Sequence, residues 1–150
     1  MTDKFPEVQT EEMCLEAVKI NPLALEDVKN QTEEMCLIAV KKTVHAIQFI
    51  KEQTEEMCLI AVKHHPWALE FIHEQTEEMC LIAVKKNGYS LQFVHEQTEE
   101  LCLAAVKNNP WALEFVNVKT PAIFRECSRI KWEYSKIEWV KYMFNIMFRR

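Results

Sequence analysis

Gln31-Thr32-Glu33-Glu34-Met35-Cys36-Leu37-Ile38-Ala39-Val40-Lys41 recurs unchanged from Gln53 to Lys63 and from Gln75 to Lys85, each copy displaced by 22 residues. Its first seven residues also open a copy at Gln9, and a fifth copy at Gln97 carries Leu101 in place of the methionine. A fixed period of this size is the signature of a repeat array, in which each unit buries its apolar face only against its neighbours. The copies also act as an alignment within one chain, separating positions held by architecture from positions left open.

The unit beginning at Thr54 reads as a helix start. The threonine hydroxyl is a good acceptor for a free N–H of the first turn, and Glu55 and Glu56 stand where the helix dipole favours negative charge. Met57-Cys58-Leu59-Ile60-Ala61-Val62 is apolar, and Lys63 follows where a cation suits a helix C-terminus. His65-Pro66 then marks a second helix, with proline at its first position. Asn21-Pro22 and Asn109-Pro110 repeat that mark, and Asn87-Gly88 is a weaker version of it. Trp67 to Gln75 is expected as the second arm, apolar at Ala68, Leu69, Phe71 and Ile72. Each unit is therefore a pair of helices of about ten residues or fewer, too short to be stable alone. A buried strand of a leucine-rich repeat shares the period. However, the L-x-x-L-x-L-x-x-N spacing is absent and the Glu, Ala, Leu, Lys and Met content favours helix.

Leu15, Leu37, Leu59, Leu81 and Leu103 never vary, nor do Ala17, Ala39, Ala61, Ala83 and Ala105, nor Val18 and its four equivalents. An alanine held among larger apolar residues predicts close helix–helix approach. Phe49, Phe71, Phe93 and Phe115 share one slot of the second arm, expected in the core, where the first unit has Asp27. A polar residue at that slot reads as a capping unit.

With 49% apolar residues, the 150 residues have the composition of one ordinary globular domain. We expect a single helical-repeat domain over 1–150, with repeats over 9–118 and a divergent C-terminal cap over 119–150. The opening residues Met1 to Pro6 lack a signal-peptide pattern, and no apolar run reaches the length of a bilayer span. An intracellular protein is expected, with membrane binding disfavoured. Net charge is −5, distributed unevenly: residues 1–117 hold 20 acidic and 10 basic side chains, and residues 118–150 hold 8 basic and 3 acidic. An acidic body followed by a basic interaction segment is the usual meaning of such asymmetry.

The pattern Thr-x-Glu-x-Cys-Leu-x-Ala-Val-Lys, then a turn marked by Pro or Gly, then x-Ala-Leu-x-Phe-Val, resembles the domain-of-unknown-function 4116 repeats of giant amoeba-infecting DNA viruses. The match runs over residues 9–118. The resemblance implies tandem helical hairpins in a viral protein of the virion, host cytoplasm or nucleus. It brings no activity and no functional residues.

Comparing the copies removes most candidate chemistry. Cys14, Cys36, Cys58, Cys80 and Cys102 form a ladder. Equivalent positions on stacked helices lie about 8–10 Å apart, too far for a disulfide, which needs Cα atoms within about 7 Å. No C-x-x-C clustering suggests a metal. The ladder and the out-of-phase Cys127 read as small buried residues. His73 and His95 share a polar slot with Lys29, Lys51 and Asn117, while His64 and His65 stand at a turn. The Glu pairs, from Glu11/Glu12 to Glu99/Glu100, repeat five times and so form a surface, as do Lys19, Lys41, Lys63, Lys85 and Lys107. No catalytic residues, metal or cofactor are expected.

The most variable slot is Leu23, His45, Trp67, Tyr89, Trp111, set between nearly invariant neighbours. An aromatic stripe of this kind reads first as a partly buried one; Trp and Tyr are also favoured anchors at protein interfaces, so Trp67, Tyr89 and Trp111 are candidate partner-binding residues. After Thr120 and Pro121 the repeat dissolves. Ile123, Cys127, Ile130, Tyr134, Ile137, Val140, Phe144 and Met147 recur at spacings of three and four, which predicts one long amphipathic helix or two broken near Trp132 to Ser135. This segment reads first as a cap on the last repeat. As an interaction surface it offers Trp132, Trp139 and Phe148 for a protein partner or for a homodimer through 121–150. Read as a nucleic-acid surface, it offers Arg125, Arg129, Lys131, Lys136, Lys141, Arg149 and Arg150. Binding at a membrane surface by 139–150 is the remaining reading. The expectation is an all-α α-solenoid of 22-residue hairpins with a long C-terminal amphipathic helix, acting as a non-enzymatic interaction or structural module, with nucleic-acid binding as the alternative.

Overall fold

A computed structural model describes residues 9–130. Six α-helices of ten residues recur at the repeat period: α1 (Glu11–Ile20), α2 (Glu33–Lys42), α3 (Glu55–His64), α4 (Glu77–Lys86), α5 (Glu99–Asn108) and α6 (Pro121–Ile130). Between them stand five 3₁₀ helices of six residues: Pro22–Asp27, Val44–Phe49, Pro66–Phe71, Gly88–Phe93 and Pro110–Phe115. The fold is all-α and built of tandem repeats, with no strand among the described residues.

The helix starts are those the repeat announces. Thr10, Thr32, Thr54, Thr76, Thr98 and Thr120 each accept through Oγ1 from the N–H three residues on, at 3.3–3.4 Å. Such a cap is worth about 1 kcal/mol. The Glu pairs fill the first turns, and Lys19, Lys41, Lys63, Lys85 and Lys107 the last.

The second arm is shorter than the helix expected over Trp67 to Gln75 and is not α-helical. It is a 3₁₀ helix that ends at the Phe slot, and Gln75 belongs to the head of the next repeat. The head glutamine accounts for the shortening. Gln31 donates through Nε2 to the Phe49 carbonyl at 2.8 Å and accepts through Oε1 from Lys51 N at 3.0 Å. Gln53 does the same with Phe71 and His73, Gln97 with Phe115 and Asn117, and Gln9 with Asp27 and Lys29. Continuing the helix would require the N–H of residue 51 for the carbonyl of Ile47, but the glutamine already holds it. That carbonyl is satisfied by Ile50 N at 3.2 Å and by Gln53 Nε2 at 3.2 Å.

Contacts divide the chain into two compact units, Met1–Met79 and Cys80–Arg150. In the first, α1, α2 and α3 lie side by side, their 3₁₀ helices likewise, and each α-helix packs on its own 3₁₀ helix. The core between these layers holds Val18, Leu25, Met35, Ala39, Val40, Ile47, Val62 and Leu69, all fully buried. In the second, α6 packs on α5, and the 3₁₀ helices 88–93 and 110–115 pack on each other and on α5. Its core includes Leu91, Leu101, Ala105, Leu113, Ile123 and Cys127.

Two further expectations change. The Phe slot is half-buried in all four of its repeats, so it lies at the edge of the core, and Asp27 at the same slot is exposed. The invariant leucines, Leu15 to Leu103, are also only half-buried. The first repeat is not a polar cap: Met13, Ile20 and Leu23 are exposed on it. The long C-terminal helix expected over 121–150 falls, beyond Ile130, outside the described residues.

Candidate functional site

The variable slot is the second residue of each 3₁₀ helix. Its orientation follows from its neighbours. Asn21, Asn87 and Asn109 cap their 3₁₀ helices, each Oδ1 accepting from the N–H of the slot residue at 3.0–3.1 Å. From the second repeat onward the next two residues, Ala68 and Leu69 for example, are fully buried, and the slot residue is turned outward. Trp67 is 42% exposed in the first unit and Trp111 38% in the second, while Tyr89 is half-buried.

The half-buried phenylalanines support this slot. His45 meets Phe71 edge to face with ring centroids 5.7 Å apart, and Tyr89 meets Phe115 at 5.9 Å. Each ring thus rests on the Phe of the following repeat, in the geometry that aromatic quadrupoles prefer. In the first unit Leu23, His45 and Trp67 hold this slot on three 3₁₀ helices that lie side by side, and in the second Tyr89 and Trp111 hold it on two neighbouring ones. Trp132, Trp139 and Phe148 lie outside the described residues.

Of the basic residues proposed for nucleic acid, Arg125 and Arg129 stand exposed on α6. Arg129 is engaged with Glu126 through two contacts of 2.7 and 3.2 Å, and this hydrogen-bonded pairing holds the Glu126 carboxyl below its usual range. Lys131, Lys136, Lys141, Arg149 and Arg150 lie outside the described residues.

A groove that sequence comparison did not single out runs along α4 and α5 in the second unit. It has a volume of about 570 Å³, a floor of Leu81, Leu103 and Ala104, and rims of Lys85 and Lys107 on one side and Glu99 and Glu100 on the other. Ala104 occupies the slot that Ile38, Ile60 and Ile82 fill in other repeats. The missing side chain is the signal in the sequence that could have revealed it. An apolar floor with charged rims suits an apolar side chain presented by a partner.

The cysteines are buried thiols. Burial pushes Cys36, Cys58 and Cys102 up from the ordinary thiol range, and the carboxylates of Glu33, Glu55 and Glu99 add to it. Cys58 and Cys102 lie 3.9 and 3.6 Å from the Oε1 of the head glutamines Gln53 and Gln97. Such thiols are poor nucleophiles. His73 and His95 are exposed, and the rings of His64 and His65 stand 6.3 Å apart. Among the described residues no group of three metal-ligating side chains is gathered, and no helix is long and apolar enough to cross a membrane.

The profile of the domain of unknown function DUF4116 matches residues 10–54, 54–98 and 76–119. The chain belongs to this family. Each match takes in two consecutive repeats, so the family's unit is a pair of the 22-residue hairpins seen here. No curated protein and no solved structure matches the chain.

Proposed function

We propose that this DUF4116 chain is a non-enzymatic interaction module that binds a protein partner through the outward slots of its 3₁₀ helices, Trp67 in the first unit and Trp111 in the second. The carrying observation is the exposure of Trp67 and Trp111, at 42% and 38%, in a slot followed by two buried and nearly invariant residues. Large aromatics held upright at low entropic cost are the residues that dominate binding energy at protein interfaces. Variation at an outward slot of a repeated scaffold allows a change of partner without a change of fold. A viral origin, implied by the family's distribution, belongs to the same reading.

The test is affinity capture from the native cell with the full chain and with Trp67→Ala/Trp111→Ala. A partner retained by the wild type and lost from the variant supports the reading. Equal capture by both, or binding only to nucleic acid that falls steeply with salt, overturns it.

A further inference from the structure

α1 presents Met13, Ala17 and Ile20 at spacings of four and three, which places them on one stripe. Met13 is 47% exposed and Ile20 83%, with Ala17 half-buried. The same positions in the next two repeats are covered: Met35 and Ala39 are fully buried, and Met57 and Ala61 are 5% and 1% exposed. The Ile20 slot is otherwise polar, held by Lys42, His64, Lys86 and Asn108. Two of these show why. Lys42 Nζ donates to the Lys19 carbonyl, and in the second unit Asn108 Nδ2 donates to the Lys85 carbonyl at 2.9 Å. The slot points back along the array and caps the C-terminus of the preceding α-helix. In α1 the capping residue is replaced by isoleucine, and Glu16 stands where α2, α3 and α4 have isoleucine. The apolar character has moved from one edge of the helix to the stripe that faces away from the array.

We infer that this stripe is a self-association surface, covered by α1 of a second copy lying antiparallel to it about a two-fold axis. The charges select the occupant and its direction. Glu12, Glu16 and Lys19 lie along one flank of the stripe, with Lys19 paired to Glu16 of its own helix at 2.7 Å in an exposed ion pair that is readily exchanged. A two-fold axis perpendicular to both helices sets that flank against its own copy with the direction reversed. Lys19 of each chain then lies within about a turn of Glu12 and Glu16 of the other, and Met13 faces Ile20. A parallel pair would set the two Glu11–Glu12 starts side by side, like charge against like. The paired surface is small, below the roughly 1,200 Å² of standard interfaces, so the dimer is weak.

The test is sedimentation equilibrium of the full chain from micromolar to millimolar concentration, with folding followed by circular dichroism. The wild type dimerises. Ile20→Lys, which installs the residue of α2, weakens the dimer by about tenfold or more. Lys19→Glu weakens it too, and Glu16→Lys combined with Lys19→Glu restores it. A wild type that stays monomeric throughout overturns the inference, as does a dimer indifferent to Ile20→Lys. If the dimer is lost only with Trp139→Glu or Trp67→Ala, association belongs to residues 121–150 or to the 3₁₀ face. A monomer in which Met13 resists peroxide oxidation assigns the stripe to the chain's own residues 1–8.

Discussion

Gln53 Nε2 donates to the carbonyl of Phe71, 18 residues ahead, at 2.9 Å, while its Oε1 accepts from the N–H of His73 at 3.3 Å. One side chain thus closes the hairpin of its own repeat. Through the Ile47 carbonyl at 3.2 Å it also ties that hairpin to the repeat before it. Gln53→Leu leaves these half-buried backbone groups without the amide and is expected to cost about 2 kcal/mol. Urea unfolding of the two proteins measures it. A loss below a few tenths of that would mean water replaces the amide at no cost.

Gly88 occupies a slot that holds proline in the first, third and fifth repeats, so consensus reasoning favours Gly88→Pro. The packing says otherwise. A Cβ at Gly88 would stand 2.4 Å from the Ala105 carbonyl oxygen, and Gly88 N donates to Asn108 Oδ1 at 2.7 Å. Both Gly88→Ala and Gly88→Pro should lower the melting temperature, through a backbone shift costing about 1–3 kcal/mol. Proline is the worse because it also loses the donor.

His65 opens its 3₁₀ helix without a side-chain cap, and its Nε2 is buried with no partner. Asn21, Asn87 and Asn109 cap the equivalent position. His65→Asn is expected to stabilise by about 0.5–1 kcal/mol, visible as a higher urea midpoint with an unchanged slope.

Ser90 stands in an alanine slot, fully buried, with its hydroxyl unpartnered. Ser90→Ala should raise stability by about 1 kcal/mol through removal of a desolvated polar group. A loss of stability on thermal melting would show that the hydroxyl has a partner in solution.

The cysteine ladder makes a prediction about pH. Burial raises Cys36, Cys58 and Cys102, so the folded state holds these protons more tightly than the unfolded chain does. The resulting stabilisation is complete below the ordinary thiol value of about 8.5 and is lost as pH rises through the folded values. Stability should therefore decline from about pH 8.5 upward, and less so in a Cys58→Ala/Cys102→Ala variant. Thiol titration at pH 8 should find these groups unreactive until the protein unfolds.

Legibility tracked distance along the chain. Thr54 capping Met57 N, Glu55 and Glu56 in the first turn and Lys63 in the last are intrahelical relations three to ten residues long, visible in any one repeat. So is the Asn21–Leu23 cap before the second arm. The outward slot of Trp67 and Trp111 was also legible, because its variation contrasts with fixed neighbours. The floor at Ala104 is written in the sequence as a missing isoleucine, but only the placing of Leu81 and Lys85 beside Leu103 and Lys107 turns that absence into a groove.

By itself the sequence determined the repeat, the position of each α-helix and the residues that start and end it, since these follow from local hydrogen bonding and the helix dipole. Tertiary structure alone decided that the second arm is 3₁₀. The glutamine that takes its last N–H lies 20 residues earlier in the chain, and local propensity contains no such competitor. It also decided burial: one stripe is hidden as Met35 and Ala39 and open as Met13 and Ile20, because whether a preceding repeat covers it depends on packing between helices, not on the helix that carries it.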